Sequence, residues 1–144
     1  MLKPGTVLAD KYRIERVLGK GGMGTVLAAS HLQLGTQVAL KFLHEDMTKH
    51  PRIVERFLRE ARASAQLRGE HICRVSDVGT FEGAPYIVME LLDGIDLAKL
   101  LAREGRLPVA RACGYVLQAC AGVAEAHGAG IVHRDLKPAN LMLT

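Results

Sequence analysis

Apolar and polar positions alternate along the first part of the chain in the manner of β-strands. Three apolar runs lie at 12–18, 25–29 and 37–43. A glycine cluster separates the first two runs, and the segment 31–36, which contains Gly35, separates the second from the third as a hairpin turn. The pattern therefore predicts three consecutive antiparallel strands.

A helical pattern begins at Pro51. Apolar residues recur there at four-residue spacing until Gly69, which is expected to end the helix. The outer face of this predicted helix is basic, so we expect one side to be packed and the other to be solvated. The apolar positions are Ile53, Phe57, Ala61 and Ala65, and the basic positions are Arg52, Arg56, Arg59 and Arg62.

Two short apolar runs follow the helix, at 72–78 and 85–92. Gly79 and Gly83 lie between them, so the pattern predicts a second hairpin. Together with the first three strands, this hairpin completes a five-stranded antiparallel small lobe that carries one helix. The fold class predicted from the pattern is α+β.

After Asp93-Gly94 the pattern becomes helical. A first helix is predicted over 96–103, and a longer one begins at Pro108, a residue that suits the first turn of a helix. The longer helix has a broad apolar face, which favours burial, and we expect this face to pack against later helices that these 144 residues lack. The residues of this face are Val109, Ala112, Cys113, Val116, Leu117, Cys120, Val123, Ala124 and His127.

The amino-acid composition limits the kinds of partner, such as nucleic acid or membrane, that the chain is expected to bind. The chain is 49% hydrophobic and 24% charged, which is ordinary for a soluble globular protein. Its net charge of +4 comes from basic residues interspersed with acidic ones, and aromatics make up 4%, so we expect no nucleic acid partner. The start of the chain has no apolar signal region, and the uncharged apolar run 112–124 is too short for a bilayer. We expect a cytoplasmic chain without a membrane segment, with its 3 cysteines reduced and buried.

The run 133–140, His-Arg-Asp-Leu-Lys-Pro-Ala-Asn, carries the most specific chemistry. Asp135 could accept the proton of an attacking hydroxyl, Lys137 could neutralise charge on a γ-phosphate, and Asn140 could hold a metal ion. The run resembles the H-R-D-x-x-x-x-N catalytic loop of protein kinases. Aminoglycoside-type phosphotransferases share part of this loop, but Arg134 and Lys137 favour the protein kinase. His133, like His127, is expected to be a packing residue rather than a ligand.

The glycine cluster at 19–26 reads Gly-Lys-Gly-Gly-Met-Gly-Thr-Val and fits the pattern G-x-G-x-x-G-x-V. Glycines have no Cβ atom, so backbone N–H groups can approach phosphate oxygens closely. A Rossmann turn leads from a strand to a helix, and a Walker A loop needs Lys and then Ser or Thr after its last glycine. Neither alternative fits this context, and a plain glycine hairpin remains the simpler one.

A lysine in the third predicted strand resembles another kinase element. Val38-Ala39-Leu40-Lys41 is similar to the V-A-I-K strand, whose lysine reaches the α- and β-phosphates and pairs with a glutamate on the next helix. Glu60 is the natural partner, and Glu55 is the other acidic residue inside the predicted helix. Without the neighbouring motifs, Lys41 and Glu60 are equally interpreted as solvated surface charges.

In order and spacing, these motifs resemble the Hanks-type serine/threonine protein kinases, and most of all their bacterial members. The resemblance runs from about Tyr12 to Thr144 and implies a bilobal fold, ATP and Mg²⁺ as cofactors, and protein Ser or Thr as acceptors. It implies that Asp135, Lys137, Lys41 and Glu60 are catalytic and that Asn140 is a metal ligand. It also implies nucleotide contacts from Gly19, Gly21, Gly24, Val26, Ala39, Lys41, Met89, Glu90, Leu92, Asp96 and Met142.

Two of these implied contacts have a second interpretation. The run 85–92 resembles the strand and hinge that hold adenine, with Met89 as gatekeeper, but it is equally a buried edge strand. Asp96 lies where the family often places a carboxylate near the ribose, and a Gly-Ile-Asp run before a helix is equally an N-cap. Both alternatives stay open at the level of sequence.

The resemblance implies three segments: an N-terminal extension at 1–11, a kinase small lobe and hinge at 12–92, and the truncated start of a large lobe at 93–144. No Asp-Phe-Gly sequence follows Asn140. We therefore expect part of a bacterial signalling kinase, inactive as 144 residues alone because the metal-binding aspartate of that motif is absent. A nucleotide-binding pseudokinase and a non-enzymatic module that interacts through the arginine face remain alternatives.

Overall fold

The computed structural model describes residues 2–144. The chain forms two compact units. The first comprises the residues up to 66 together with 74–91, and the second comprises 67–73 together with 92–144.

The first unit is built on a six-stranded antiparallel sheet, in the order β1-β2-β3-β4-β6-β5. Two helices follow β4 in the chain. The α+β class predicted from the sequence is confirmed. The elements are β1 (Val7–Leu8), β2 (Tyr12–Lys20), β3 (Gly24–His31), β4 (Thr36–Leu43), α1 (Glu45–Thr48), α2 (Pro51–Ser64), β5 (Val75–Phe81) and β6 (Ala84–Glu90).

The sheet has one strand more than the pattern predicts. Strand β1 pairs with the start of β2, with Leu8 opposite Tyr12. The tight turn between them places Ala9 and Asp10 at φ values of 48° and 52°. A strand of 2 residues has no periodicity, so pattern analysis does not detect it.

Two boundaries differ from the prediction. Helix α2 ends at Ser64 and not near Gly69, because Leu67–Cys73 belong to the second unit, where Glu125 Oε1 accepts the Arg68 and Gly69 N–H groups at 2.8 and 3.0 Å. Gly79 lies inside β5 rather than in a turn. A Cβ atom there would fall against the ring of Tyr86, so close packing explains this glycine.

The two faces of the sheet carry separate apolar clusters. One face holds a cluster of strand residues, and the other packs against α2 through Leu43, Ile87, Phe57 and Ala61. Tyr12 on β2 donates a hydrogen bond to Asp77 on β5 at 3.4 Å, although these strands lie far apart in the sheet order. The sheet is therefore curled. The first cluster comprises Leu8, Tyr12, Ile14, Leu27, Ala29, Leu40, Phe42, Tyr86 and Val88.

The second unit contains two helices and a two-stranded sheet in which β7 and β8 are antiparallel. Its first helix is capped by Asp96, as the sequence allows, and the second begins after Pro108. The catalytic-loop sequence lies between that helix and β8. The elements are β7 (Ile95–Asp96), α3 (Leu97–Glu104), α4 (Val109–Gly128), a 3₁₀ turn (Pro138–Asn140) and β8 (Met142–Leu143).

The apolar face of α4 is largely exposed, as expected for these residues alone, and Gly122 is the buried residue of this helix within the described range. Val109 is 78% exposed and Leu117 is 70% exposed. His127 is exposed as well and is not a core residue. Cys113 and Cys120 are exposed and Cys73 is partly buried, so the expectation that the cysteines are buried is wrong. None of the helices in the described range is long and apolar enough to cross a membrane.

Candidate active site

The register of the sheet brings several predicted nucleotide contacts to one face. Val26 lies opposite Lys41, and Ala39 lies opposite Met89. Directly paired residues of antiparallel strands share a face, and so do residues two apart in one strand. Lys41 therefore shares its face with Leu43 and with Val26, Ala39 and Met89. This is the face that α2 covers through Phe57 and Ala61.

The segment 19–24, here called the glycine loop, joins β2 to β3. Gly19 pairs with Val26 and Lys20 pairs with Thr25, and the Gly21 N–H donates to the Gly24 carbonyl at 2.8 Å. Between these bonds, the N–H groups of Gly22 and Met23 donate to no residue in the range 2–144. The tip thus presents free backbone donors, which is what an anion requires.

The glycines of the loop differ in whether the surrounding atoms leave room for a Cβ atom. A Cβ atom at Gly24 would fall against the backbone carbonyl of Phe42, so packing requires glycine there. A Cβ atom at Gly19 or Gly22 would meet nothing within 4 Å. Packing among the described residues therefore leaves Gly19 and Gly22 unexplained, and close approach by a ligand would explain them.

Glu60 is paired with a residue of its own helix and not with Lys41. Arg56 Nε donates to Glu60 Oε1 at 2.8 Å, and both side chains are about half exposed. Lys41 is exposed and makes no ion pair with any residue between 2 and 144. The ion pair that the sequence predicts between Lys41 and Glu60 is thus not formed in this structure and stays a prediction.

The end of β6 carries the predicted hinge contacts. Met89 is partly buried beside Ala39. Glu90 is bonded to Arg74, whose N–H donates to Glu90 Oε1 at 2.6 Å. Leu92 follows β6 and belongs to the second unit, as does Met142 in β8. The roles of these residues in nucleotide binding remain predictions.

The catalytic-loop sequence brings its three predicted residues together. Lys137 Nζ lies 2.9 Å from Asp135 Oδ2, and Asn140 Nδ2 donates to Asp135 Oδ2 at 3.1 Å and to the Asp135 carbonyl at 2.8 Å. The 3₁₀ turn Pro138–Asn140 returns the chain toward Asp135 and makes this contact possible. All three residues are exposed. Asp135 Oδ1 makes no hydrogen bond within the described chain and is available to a ligand.

Neighbouring side chains lower the pKa of Asp135. The hydrogen bond from Lys137 is the main reason that the pKa of Asp135 lies below its ordinary value, and Asn140 adds to the effect. The N–H of Asp135 donates to Nδ1 of His133 at 3.2 Å, so His133 supports the loop although it is exposed rather than packed. At neutral pH the carboxylate is ionised and can accept a proton.

The side-chain oxygen of Asn140 is available to bind a metal ion. Its Nδ2 is used by Asp135, and its Oδ1 has no partner among residues 2–144. An amide oxygen is a ligand that Mg²⁺ accepts. The described residues contain no group of 3 or more His, Cys, Asp or Glu that could hold a metal ion by themselves. Among the described residues, Asn140 would therefore contribute one oxygen ligand to a bound Mg²⁺.

Asp96 is the N-cap of α3. Its Oδ1 accepts the Lys99 N–H at 2.8 Å, and its Oδ2 lies 2.8 Å from Lys99 Nζ. The hydrogen bond from the Lys99 side chain is the main cause of a lowered pKa at Asp96. The N-cap interpretation is therefore the one that the structure realises, and a ribose contact stays a prediction.

Sequence reasoning missed three contacts, one at α2, one at the loop after α2 and one at the glycine loop. Arg56 binds Glu60, Glu125 binds the loop after α2, and His44 binds the glycine loop. The four-residue spacing of Arg56 and Glu60 was visible in the sequence as a helical ion pair. The other two contacts join residues far apart in the chain, so no local pattern indicates them.

Comparison with known proteins gives one consistent result. Residues 12–144 match the family described as "Protein kinase domain". The chain is 43% identical over 140 residues to the serine/threonine-protein kinase pkn3 of Myxococcus xanthus, which covers 96% of this chain and 26% of that protein. It is 39% identical over 142 residues to the probable serine/threonine-protein kinase PknB of Corynebacterium glutamicum, covering 96% of this chain and 22% of that protein.

The fold has solved counterparts. The crystal structure of the Mycobacterium tuberculosis PknI kinase domain superposes with a TM-score of 0.88 at 36% identity, covering 100% of this chain and 58% of that one. The chain thus spans 22% of the PknB relative and 58% of the solved kinase domain.

Proposed function

Because the chain belongs to the protein kinase family, we propose that it carries the nucleotide-binding and catalytic-loop segments of a bacterial serine/threonine protein kinase. The reaction is transfer of the γ-phosphate of ATP to a Ser or Thr hydroxyl of a protein. The observation that carries this proposal is the cluster of Asp135, Lys137 and Asn140, since their contacts match the roles that phosphoryl transfer requires.

Asp135 is the proton acceptor in this proposal. The hydroxyl oxygen of the acceptor forms a bond to the γ-phosphorus, and the bond from that phosphorus to the bridging oxygen of the β-phosphate breaks. The hydroxyl proton passes to the free Oδ1 of Asp135, and ADP leaves. Lys137 lies 2.9 Å from the other carboxylate oxygen, so its charge is held near the transferred group. Electrostatic stabilisation of this kind is often the largest contribution to catalysis.

The first unit supplies the nucleotide contacts. The unpaired amides of Gly22 and Met23 are donors for phosphate oxygens, and Lys41 supplies a positive charge on the face that carries Val26 and Ala39. Asn140 Oδ1 would hold Mg²⁺, which when bound neutralises negative charge on the phosphates. Among residues 1–144 there is no Asp-Phe-Gly sequence, so we expect these residues alone to transfer no phosphate.

Calorimetric titration of the 144-residue chain with MgATP tests the nucleotide half of the proposal. Lys41→Met is expected to weaken binding at least tenfold, because it removes the charge that faces the phosphates. Asp135→Asn is expected to leave the affinity nearly unchanged. Lys3→Met, which removes an exposed lysine elsewhere in the first unit, is the matched control.

Phosphate transfer is tested in a kinase domain that contains these residues and continues beyond residue 144, with labelled ATP and a protein acceptor. Asp135→Asn is expected to lower kcat by roughly 10²–10⁴-fold because the general base is lost. Binding without transfer in the unsubstituted domain would favour the pseudokinase alternative. Failure to bind MgATP would favour the interaction module.

A further inference from the structure

The side chain of His44 is bonded to the tip of the glycine loop. His44 directly follows β4, and its backbone N–H donates to the Met23 carbonyl at 3.1 Å. Its ring Nε2 lies 2.7 Å from the Gly21 carbonyl oxygen. Because a carbonyl oxygen only accepts hydrogen bonds, Nε2 carries the hydrogen. One residue thus holds two carbonyls of the loop.

The bond to Gly21 also fixes the direction of the next amide. In a trans peptide the C=O and the following N–H point in opposite directions. No cis peptide bond occurs in the described chain. Since the Gly21 carbonyl points toward His44, the N–H of Gly22 points away from it. This N–H is one of the two tip donors that bind no residue between 2 and 144.

Besides the two bonds from His44, the loop tip is held by the bond from the Gly21 N–H to the Gly24 carbonyl, and the bond to the Gly21 carbonyl is the one that orients the Gly21–Gly22 peptide. A Cβ atom at Gly22 would meet nothing within 4 Å, so no neighbouring atom crowds this residue on the side of its missing side chain. Glycine also has more conformational freedom than any other residue, and the free loop would sample many orientations. A contact that removes this freedom before the ligand arrives lowers the entropic cost of binding.

We infer that His44 is a positioning residue for the nucleotide, which orients the Gly22 N–H toward a phosphate oxygen of ATP. The inference rests on the proposed function, because it assumes that the glycine loop binds phosphate. His44 itself touches no phosphate in this scheme. Its effect is transmitted through the Gly21–Gly22 peptide.

The test combines MgATP affinity with the mobility of the loop. His44→Ala is expected to lower the affinity of the chain for MgATP by roughly 2- to 10-fold, the effect of one hydrogen bond. His44→Gln retains an N–H donor at a similar reach and is expected to recover most of the affinity. His50→Ala is the control, because the His50 side chain makes no capping bond.

Amide relaxation measured by NMR gives a second readout that does not depend on nucleotide. In the free chain, His44→Ala is expected to increase the motion of the Gly22 amide, and His44→Gln is not. Denaturant unfolding of each variant shows whether the fold is retained.

The two hypotheses fail in different ways. Wild-type affinity and an unchanged Gly22 amide in His44→Ala would overturn the inference and leave the proposed function intact. Wild-type protein that does not bind MgATP would overturn the proposed function and the nucleotide role of His44 together. Weaker binding by His44→Ala with recovery by His44→Gln supports both.

Discussion

Glu60 accepts a hydrogen bond from Arg56 at 2.8 Å, one turn earlier in the same helix. The glutamate that the sequence assigns to Lys41 is therefore engaged by a different cation. The pair is about half exposed, with Arg on the N-terminal side of Glu, which is the less favourable orientation for a helical ion pair. A contact of this kind is weak, so Glu60 can exchange partners at low cost.

This relationship predicts a contrast between the two glutamates of α2. In a complete kinase domain, Glu60→Gln is expected to lower kcat/KM for phosphate transfer by at least tenfold, because Lys41 loses its partner. Glu55→Gln is expected to have little effect, since residues five apart on a helix face about 140° away from each other. If Glu55→Gln proves the more damaging change, Glu60 is not the partner of Lys41.

Arg56→Ala provides the complementary variant. It is expected to destabilise the chain by only about 0.3–0.5 kcal/mol, as measured by urea unfolding, because the ion pair is exposed. It is also expected to leave transfer activity unchanged or to raise it up to about twofold, since Glu60 is released toward Lys41. A strong loss of activity would show that Arg56 does more than hold Glu60.

The lowered pKa of Asp135 predicts how a substitution changes this pKa and how the stability of the chain depends on pH. Lys137 is its main cause, so Lys137→Met is expected to move the pKa of Asp135 upward toward the ordinary value near 4. The native pKa is below the unfolded value. The ion pair therefore contributes stability above about pH 4, and this contribution disappears as the pH falls through the native pKa.

NMR titration of the carboxyl resonances measures this shift. Lys99→Met is the matched control, because Lys99 is the main cause of the lowered pKa of Asp96. We expect Lys137→Met to shift Asp135 and not Asp96, and Lys99→Met to do the reverse. A common shift of both carboxyls would point to a general change in the second unit.

Substitutions at two glycines of the loop are expected to affect different properties, one the stability of the chain and the other its binding of MgATP. Gly24→Ala is expected to destabilise the chain by about 1–3 kcal/mol, because its Cβ atom would fall against the Phe42 carbonyl, which the sheet holds in place. Gly22→Ala is expected to leave the urea midpoint nearly unchanged and to weaken MgATP binding. Equal stability of the two variants would contradict the register of β3 and β4.

The exposed face of α4 predicts association of the isolated chain. Val109, Val116 and Leu117 are 78%, 56% and 70% exposed, and exposed apolar side chains on one helix promote self-association. We expect the chain to bind a hydrophobic dye and to sediment as more than a monomer. Leu117→Glu is expected to reduce both without loss of helix content, whereas Gln118→Glu, at a neighbouring exposed position, is expected to leave both unchanged.

The sequence by itself determined the family, the fold class and the identity of the chemical groups. Asp135, Lys137 and Asn140 lie within a few residues of one another, so their proximity follows from a single turn of the chain. The alternation of side chains along β4 likewise predicts that Ala39 and Lys41 share a face. Local spacing is sufficient in both cases because the residues belong to one element or to adjacent ones.

Only the tertiary structure decided the contacts between distant segments. The pairing of Val26 with Lys41, the bond from His44 to Gly21 and the support of Gly69 by Glu125 depend on how separate elements meet. The pairing of the short strand β1 depends on small energies that no sequence pattern ranks. The helical spacing suggests Arg56 as a partner of Glu60, but no sequence pattern decides between Arg56 and Lys41.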